Sequence, residues 1–417
     1  LILASRSIPF FFIGCSLYLV LPIRSTSNPL LDWGHPAELT RFFWHISGKQ
    51  YRSWMFSSFE SAEKQFNHFL NHFPSEYHWL LLPFILVGFL KLLNVQKNYF
   101  WFFSISFVTG ILYSINYDIH DIDSYFIIVF LVAGLFFVVG LIILINPLLR
   151  QVPRSFSRIY LIFFIFPLIQ YLNNIKNVDG SKNTIVRDYS QFIFLSVQPN
   201  AMILSYQWDY FVAASLYLQT VQNVRPDVII IDKELLRRSW YFISLRSRYP
   251  KFFEKAWPEV DAFLAELYKF EHNLPYDPRV IETRYVQMIN TLIEQAMKTR
   301  PVYVGPEIEI EFGSKFKRIP QGMLYQLTPP EVLPIPCKEI PELTFPTNES
   351  RLTPQLKAIF IRMSRDNALY AFNVNQSGIS LLWLDAIEKV EPNHTWAKEL
   401  RKRIQQFESM IPRNQIR

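Results

Sequence analysis

The sequence contains few cysteines and few glycines, and it lacks several short motifs that mark common enzyme sites. Cys15 and Cys337 are its two cysteines, which excludes a disulfide scaffold and a four-cysteine zinc site. Glycine accounts for 12 of the 417 residues, and neither G-x-G-x-x-G nor a Walker pattern occurs. H-E-x-x-H, G-x-S-x-G and C-x-x-C are absent as well. We therefore expect no glycine-rich loop that binds a nucleotide. We also expect no zinc-protease helix, no nucleophile elbow of an α/β-hydrolase and no redox-active cysteine pair.

Charged residues are also scarce. They make up 18% of the sequence, against roughly 25% in a typical soluble globular protein. Hydrophobic residues account for 50% and aromatic residues for 17%. The formal net charge of +7 matters less than the positions of the lysines and arginines. This balance indicates a membrane protein, and the length allows more than one domain.

Five stretches are long and apolar enough to predict membrane helices, which need roughly 17–25 such residues. They cover residues 7–23, 78–95, 99–117, 124–147 and, more weakly, 159–172. The fourth stretch has no charged residue, whereas the fifth is short and contains Gln170. Buried helices of a soluble protein are the less favoured alternative.

The loops between these stretches predict the orientation of the chain. Loop 91–98 contains two lysines and loop 150–158 contains three arginines. Loop 118–123 contains three aspartates and neither lysine nor arginine. The positive-inside rule places the two basic loops in the cytoplasm. Loop 118–123, the long loop 24–77 and everything after residue 174 are then predicted to lie outside.

After residue 174 the composition becomes that of a folded, water-soluble domain. "AMILSY" at 201–206 predicts a strand, residues 209–224 predict a helix, and "DVIIID" at 227–232 predicts a buried strand. A strand, a helix and a strand joined by short connections form a βαβ unit. Its first turn lacks glycine, so this unit is not expected to bind a nucleotide.

The remainder is predicted to be mainly helical. Three helical stretches, at 234–245, 260–270 and 279–299, precede a further strand, "PVYVG". Residues 306–350 are rich in proline and β-formers, which predicts irregular extended structure. Residues 352–409 return to helix with a spacing that resembles one tetratricopeptide-like pair, and a single pair must pack on a neighbour.

These patterns predict three domains. Residues 1–174 form a polytopic helical membrane domain with about five spans and an external loop at 24–77. Residues 175–350 form an extracytoplasmic α/β domain. Residues 351–417 form a helical, tetratricopeptide-like segment.

Two polar segments beside predicted membrane helices are candidates for chemistry. Loop 116–123 has three carboxylates and a histidine, which suit metal binding, acid–base work or contacts to sugar hydroxyls. Its spacing alone favours a solvated cap at the membrane edge. Segment 24–52 is compatible with an aromatic and basic belt at the lipid headgroups. It is equally compatible with a site where arginines bind a phosphate while Asp32 and His35 contact a polar substrate.

The second of these segments contains an ordered set of motifs within "YLVLPIRSTSNPLLDWGHPAELTRFFWHISGKQYR". An apolar helix ends in L-P-I-R at 21–24, and N-P, D-W-G-x-P and H-x-x-x-x-Q-Y follow. This order resembles a signature of the family that includes the eukaryotic transmembrane protein 260. "NYDIHDIDSYF" and residues 187–232 are similar to the same family, with R-P-D-V at 225–228 as a second anchor. The resemblance covers about residues 15–245.

Members of that family resemble type-C membrane glycosyltransferases and the protein O-mannosyltransferases. The resemblance implies a transferase that takes a sugar, with mannose suggested by the relatives, from a polyprenyl-phosphate carrier in the bilayer. The sugar passes to a hydroxyl of a protein or glycan on the extracytoplasmic side. We expect no metal, no other cofactor and no nucleic-acid partner. The membrane is the plasma or inner membrane in a bacterium and the endoplasmic reticulum in a eukaryote.

The resemblance also implies where substrate binds. The catalytic base is expected in an external loop before Leu1, so no catalytic residue is assigned, and this chain is expected to be an N-terminally truncated fragment that is inactive alone. Substrate-binding residues are expected to line one cavity from two segments: Arg24, Asp32, Trp33, His35, His45 and Tyr51 in the first, and Asp118, His120 and Asp121 in the second.

Two other functions compete with a transferase. A non-catalytic, membrane-anchored scaffold would use its extracytoplasmic domain and C-terminal helices to bind partner proteins. A transporter is disfavoured because the predicted membrane helices carry almost no charged residues that would line a substrate path.

Overall fold

The computed structural model describes residues 2–29, 31–77, 79–149, 164–346 and 352–410. Helices predominate in this described part, alongside one five-stranded sheet. The chain divides into two compact units. Unit 1 comprises Leu1–Glu38 and Gly180–Arg417, and unit 2 comprises Leu39–Asp179. The first 38 residues therefore group with the α/β region and not with the other apolar helices.

Unit 1 begins with an apolar helical stretch. Helix α1 (Ile2–Ser16) and helix α2 (Val20–Ser25) are joined by a 3-10 turn at Leu17–Leu19. Residues Ile8–Ser25 together are long and apolar enough to cross a membrane. The stretch ends where Ser25 is buried and the chain enters a polar loop.

Unit 2 consists of helices with short connections. They are α3 (Leu39–Ile46), α4 (Phe59–Tyr77), α5 (Leu82–Val95), α6 (Lys97–Ile115), α7 (Ile127–Leu149) and α8 (Ile165–Val178). Helices α5 and α7 approach closely where each has a glycine. A Cβ built at Gly88 would lie 1.8 Å from the carbonyl oxygen of Phe136, and one at Gly140 would lie 1.8 Å from that of Phe84. Only glycine permits this contact between the two helix backbones.

The candidate membrane spans agree in part with the sequence prediction. Among the described residues, Ile8–Ser25, Lys97–Ile115 and Ile122–Pro147 meet the length and composition of a span. They match the first, third and fourth predicted stretches. Helices α4 and α5 meet at a bend of 100°, and together they make a fourth span if they count as one broken helix.

Two predicted spans differ from the structure. The sequence predicts one helix at 78–95, but a 3-10 turn precedes α5, which has 14 residues. Residues 159–163 of the fifth stretch lie outside the described residues, as does loop 150–158, and α8 is likewise 14 residues long. Prolines at 83 and 167 lie in the first turns of these two helices, where a missing N–H breaks no intrahelical bond.

The α/β region of unit 1 contains the predicted βαβ unit. Strands β1 (Met202–Ser205), β2 (Ile229–Asp232) and β3 (Val302–Val304) are parallel, with β1 between the other two. The helices around them are α9 (Ile185–Ser196), α10 (Ala213–Thr220), α11 (Ser239–Arg248), α12 (Pro250–Phe253), α13 (Trp257–Glu271) and α14 (Pro278–Met297). All three strands are fully buried, which explains their near-continuous apolar sequences.

A hairpin extends the sheet where the sequence predicts irregular structure. Strands β4 (Lys317–Gln321) and β5 (Leu324–Thr328) are antiparallel, and β5 also pairs antiparallel with β3. The sheet order is β2-β1-β3-β5-β4. Pro320 argues against a strand, but β4 is the edge strand, where proline is tolerated. Gly322, with φ of 62°, forms the turn.

The R-P-D motif has a structural role in this fold. Arg225 donates hydrogen bonds to the carbonyl oxygens of Phe194, Val197 (3.1 Å) and Gln198 (2.9 Å), at the end of α9. It also pairs with Asp227 at 2.9 Å. These hydrogen bonds from Arg225 lower the pKa of Asp227 to about 2. The motif thus fastens the start of β2 to the end of α9.

The C-terminal helices belong to the core of unit 1. They are α15 (Leu352–Asn373), α16 (Ser377–Val390) and α17 (Thr395–Met410). The Asn367 side chain on α15 forms two hydrogen bonds with the backbone of Gly322, at 2.8 and 3.2 Å. Trp383 on α16 is fully buried and donates to the carbonyl oxygen of Cys337 at 2.9 Å. The expected neighbour for the helix pair is therefore the β4–β5 hairpin and the segment after it.

Candidate functional site

The polar loop after α2 is folded around the carboxylate of Asp32. Oγ of Ser25 donates to Oδ2 of Asp32 at 2.8 Å, and Nδ1 of His35 lies 2.5 Å from the same oxygen. The backbone N–H of Ala37 donates to Oγ of Ser25 at 3.2 Å. Gly34 and His35 take positive φ values of 79° and 46°, which turns the loop back on itself. Asp32 is 6% exposed, and its Oδ1 has no partner among the described residues.

Trp33 fixes this loop against the α/β region of unit 1. Its ring centroid lies 5.5 Å from that of Trp208 and 5.1 Å from that of Trp240. The indole N–H groups of Trp33 and Trp240 are both buried without an acceptor in the part of the chain that the structure describes. The predicted residue Trp33 is thus a packing residue in a cluster of three tryptophans, two of which keep an unused indole donor.

A cleft of about 280 Å³ lies between this loop and helix α11. Its lining residues are Asn28, Pro29, Asp32, Ile243, Ser244, Ser247 and Arg248. The four residues from α11 are not predicted by the sequence. Their spacing could have identified them, because residues three and four positions apart in "SWYFISLRSR" lie on one face of a helix.

Arg24, the remaining predicted residue in unit 1, is exposed near the end of α2. Its carbonyl oxygen accepts a hydrogen bond from Oγ of Ser27 at 2.7 Å. It does not line the cleft. At the end of a candidate span, an exposed guanidinium suits contact with a lipid phosphate.

The other predicted residues lie in unit 2. Met55 pairs with Tyr117 in an isolated antiparallel bridge, so the segment after α3 runs beside the acidic loop. The N–H of Asp118 donates to the carbonyl oxygen of Trp54 at 2.9 Å. Tyr51 precedes this bridge, and its ring lies 5.7 Å from that of Trp54. His45, in the last turn of α3, is half-buried.

The side chains of the acidic loop point mainly to solvent. Asp118, His120 and Asp121 are exposed. Asp118 accepts one long hydrogen bond, 3.5 Å, from Ser57, and Asp123 lies 2.6 Å from Nε2 of His68. The described residues contain no group of three or more histidine, cysteine or acidic side chains arranged to hold a metal ion.

Unit 2 also contains a large apolar cleft of about 910 Å³. Its lining residues come from α4 to α7 and include Trp79, Phe89, Phe100, Trp101 and Phe107. Helices α6 and α7 provide two of the candidate spans. An apolar cleft at this place suits a hydrocarbon chain, such as that of a lipid.

The carboxyl ends of the parallel strands carry a second polar cluster that the sequence does not predict. Because β2 and β3 flank β1, this edge is where open α/β sheets commonly bind ligands. Glu307, after β3, accepts hydrogen bonds from Oγ of Ser205 at 2.6 Å, the N–H of Tyr206 at 3.0 Å and Nε2 of Gln207 at 2.6 Å. The Glu307 side chain therefore occupies the crevice between β1 and β3.

The last residue of β2, Asp232, and the next residue, Lys233, are charged and buried in the same region. Burial raises the pKa of Asp232 to about 6, against the lowering effect of backbone N–H groups at Leu235 and Glu234. Burial lowers the pKa of Lys233, but ion pairs with Glu234 at 2.8 Å and Glu309 at 2.6 Å outweigh it and raise the pKa. The sequence feature that could have identified this cluster is the pair of charged residues at the end of a buried strand. The cluster's hydrogen bonds are largely satisfied internally, so the open polar site of unit 1 is the cleft beside α11.

No protein-family model, curated protein or solved structure matches this chain.

Proposed function

We propose that this chain is part of a membrane glycosyltransferase that transfers a sugar from a polyprenyl-phosphate carrier to a hydroxyl of a protein or glycan. The observation that carries the proposal is the folded D-W-G-H-P loop, which begins within a few residues of the candidate span Ile8–Ser25. The sugar-phosphate head of a lipid-linked donor lies at the membrane surface, and this loop holds a buried carboxylate and a polar cleft next to such a span.

The proposed reaction is the transfer of the sugar from the carrier phosphate to the acceptor hydroxyl. The acceptor hydroxyl oxygen attacks the anomeric carbon, the bond from that carbon to the phosphate oxygen breaks, and polyprenyl phosphate leaves. The acceptor's proton goes to a base that we do not assign within this chain. Arg24 attracts the negatively charged head of the donor to the membrane surface. Asp32 holds its loop in place through Ser25 and His35.

Unit 2 contributes two features to the proposal. Its apolar cleft, lined by side chains such as Phe89 and Trp101, suits the hydrocarbon chain of the donor. Its exposed residues Asp118, His120 and Asp121 have acceptor atoms available for sugar hydroxyls. We propose that this loop faces the extracytoplasmic side, as does the α/β region.

A transfer assay tests this function. Membranes containing the complete protein are incubated with a labelled polyprenyl-phosphate sugar and acceptor proteins. Arg24→Ala and His45→Ala are expected to lower the transfer rate by about ten-fold or more, which is ~1.4 kcal/mol of transition-state stabilisation. Arg246→Ala is the control, because this exposed arginine pairs with Asp261 at 2.9 Å. Wild-type rates in both site variants would mean that the segment is only an interfacial belt.

The scaffold alternative has less support. The helix pair α15–α16 was its predicted partner-binding element, but Asn367 and Trp383 are used for contacts inside unit 1. The transfer assay distinguishes the two functions, because a scaffold binds partner proteins while the intact protein transfers no sugar.

A further inference from the structure

One face of helix α11 is polar at a position where it forms a wall of the unit 1 cleft. Ser244, Ser247 and Arg248 provide two hydroxyls and a guanidinium, while Trp240 and Ile243 precede them on the same face. Across the cleft lie the carboxamide of Asn28 and the buried carboxylate of Asp32. The cleft thus has donors and acceptors on both walls, with the guanidinium of Arg248 on the α11 wall and the carboxylate of Asp32 on the other.

The charge of Arg248 is not neutralised within the described residues. Its guanidinium lies 5.7 Å from the ring of Tyr249, and it forms no ion pair there. Arg246 on the same helix differs, because it pairs with Asp261 at 2.9 Å and stacks on Trp257 at 4.1 Å. A half-buried arginine without a carboxylate is available to an anion, and its planar guanidinium binds phosphate with two parallel hydrogen bonds.

One polar atom of the cleft lining also lacks a partner. Oδ1 of Asp32 forms no hydrogen bond with the described residues, whereas Oδ2 is engaged by Ser25 and His35. A carboxylate oxygen accepts hydrogen bonds from hydroxyl groups. A ligand with several hydroxyls therefore offers donors to this atom.

We infer that this cleft binds the phosphorylated sugar of the donor, with the phosphate on Arg248 and the sugar hydroxyls on Asp32, Asn28 and the α11 serines. The inference rests on the proposed function and names the part of the donor that this site recognises. The volume of about 280 Å³ lies just below the usual range of small-molecule pockets, which is roughly 300 to 1,000 Å³. That size fits one sugar unit and not an oligosaccharide.

Direct binding to the purified, detergent-solubilised full chain tests the site without requiring catalysis. Calorimetric titrations use hexose 1-phosphates, the matching free hexoses, inorganic phosphate, and micelles with a polyprenyl-phosphate sugar. We expect a hexose 1-phosphate to bind. We expect Arg248→Gln to lower the affinity for it by about ten-fold. Binding of the free hexose is expected to change little in Arg248→Gln. Arg246→Gln is the matched control from the same helix and is expected to bind like the wild type.

Ser244→Ala provides a second variant that removes one hydroxyl without touching the charge. It is expected to lower the affinity for both the free hexose and the hexose 1-phosphate. The soluble and lipid-linked probes distinguish a site for the head group alone from one that also needs the lipid. The inference is overturned if no probe binds, or if Arg248→Gln and Arg246→Gln, both folded by circular dichroism, bind with wild-type affinity.

The outcomes for this site and for the proposed function are separable. If a hexose 1-phosphate binds through Arg248 but no transfer occurs in the complete protein, the site stands and the transferase proposal fails. If transfer proceeds with an unchanged KM for donor in Arg248→Gln, the transferase stands and this site is wrong.

Discussion

The two units place their polar residues in opposite environments. In unit 1, Asp32 is 6% exposed and engaged by Ser25 and His35. In unit 2, Asp118 and Asp121 are exposed and make few side-chain contacts. Both segments are short, polar and next to a candidate membrane span, so their sequences look alike. The difference shows that a polar segment beside a span is either a folded structural loop or a free surface, depending on what packs against it.

This difference has a functional consequence. A buried, hydrogen-bonded carboxylate keeps a fixed geometry, and its removal disturbs the fold as well as any site. An exposed carboxylate is free to contact a ligand, and its removal leaves the fold intact. Variants of Asp32 therefore report on stability and binding together, whereas variants in the acidic loop report on binding alone.

The largest effect is expected for Trp33→Ala. Trp33 packs against Trp208 and Trp240, and truncation of a packed tryptophan costs about 3–5 kcal/mol in the free energy of unfolding. Since Trp33 is only half-buried, we expect the lower end, about 3 kcal/mol. Tyr51→Ala in unit 2, where Tyr51 is 38% exposed, is the comparison and is expected to cost about 1 kcal/mol or less.

Thermal unfolding of the detergent-solubilised protein, followed by circular dichroism, measures both variants. Trp33→Phe restores part of the packing and is expected to fall between wild type and Trp33→Ala. Equal losses for Trp33→Ala and Tyr51→Ala would contradict the assignment of Trp33 to a packed cluster.

A pH-dependent effect of similar size is expected at Asp232. Its pKa is about 6 in the folded protein, against 3.8 for an ordinary aspartate, so the folded state binds the proton more tightly than the unfolded chain does. Stability from this group is therefore present below pH ~4 and is lost as the pH rises through ~6. Each tenfold change in proton affinity is worth ~1.4 kcal/mol, so the ionised Asp232 costs up to about 3 kcal/mol at neutral pH.

Asp232→Asn removes that cost. The variant is expected to unfold at a higher temperature than wild type at pH ~7.5 and at nearly the same temperature at pH ~4. A wild-type-like pH profile for Asp232→Asn would mean that Asp232 ionises normally in the fold.

Local patterns predicted the elements whose partners are close in sequence. Strand "AMILSY", the following helix and strand "DVIIID" form one supersecondary unit, and their apolar periodicity was sufficient to identify it. Hairpin β4–β5 was missed because the proline content of residues 306–350 indicated irregular structure, and only the edge position of β4 in the sheet makes Pro320 acceptable.

Contacts between distant segments were beyond sequence reasoning. Asp32 and Trp33 meet helix α11, which lies far along the chain from them. The motif order suggested that Asp32 and His35 matter, but it gave no reason to select Ser244 or Arg248. The roles of Trp33 as a packing residue and of Asp32 as a loop organiser depend on partners that only the fold brings near.

A moderate effect is expected when Asp32 loses its carboxylate. Asp32→Ala leaves Ser25 and His35 without their acceptor in a mostly buried place, which is expected to cost about 2 kcal/mol of unfolding free energy. Asp32→Asn keeps one oxygen and is expected to cost less. Thermal unfolding measures both, and Asp385→Ala, an exposed aspartate of unit 1 paired with Arg401, is the control. If Asp32→Ala and Asp385→Ala unfold alike, the loop does not depend on the carboxylate.

The smallest effects on stability are expected in the acidic loop, and this makes it the cleanest test of substrate contact. Asp118→Asn and Asp121→Asn alter exposed side chains and are expected to change the free energy of unfolding by about 0.5 kcal/mol or less. Asp123→Asn breaks the 2.6 Å contact with His68, but Asp123 is 67% exposed and such surface pairs contribute about 0–1 kcal/mol.

Because none of the three variants is expected to disturb the fold, a fall in transfer by the complete protein reports on contact with substrate. We expect that fall for Asp118→Asn and Asp121→Asn, whose oxygens are available for sugar hydroxyls, and not for Asp123→Asn, whose oxygen is used by His68. A chelator is expected to leave transfer unchanged, since a single leaving phosphate can be stabilised by arginine. If the chelator abolishes transfer and added Mg²⁺ or Mn²⁺ restores it, these aspartates act as metal ligands. The acidic loop would then differ from Asp32 of unit 1 in its chemistry as well as in its burial.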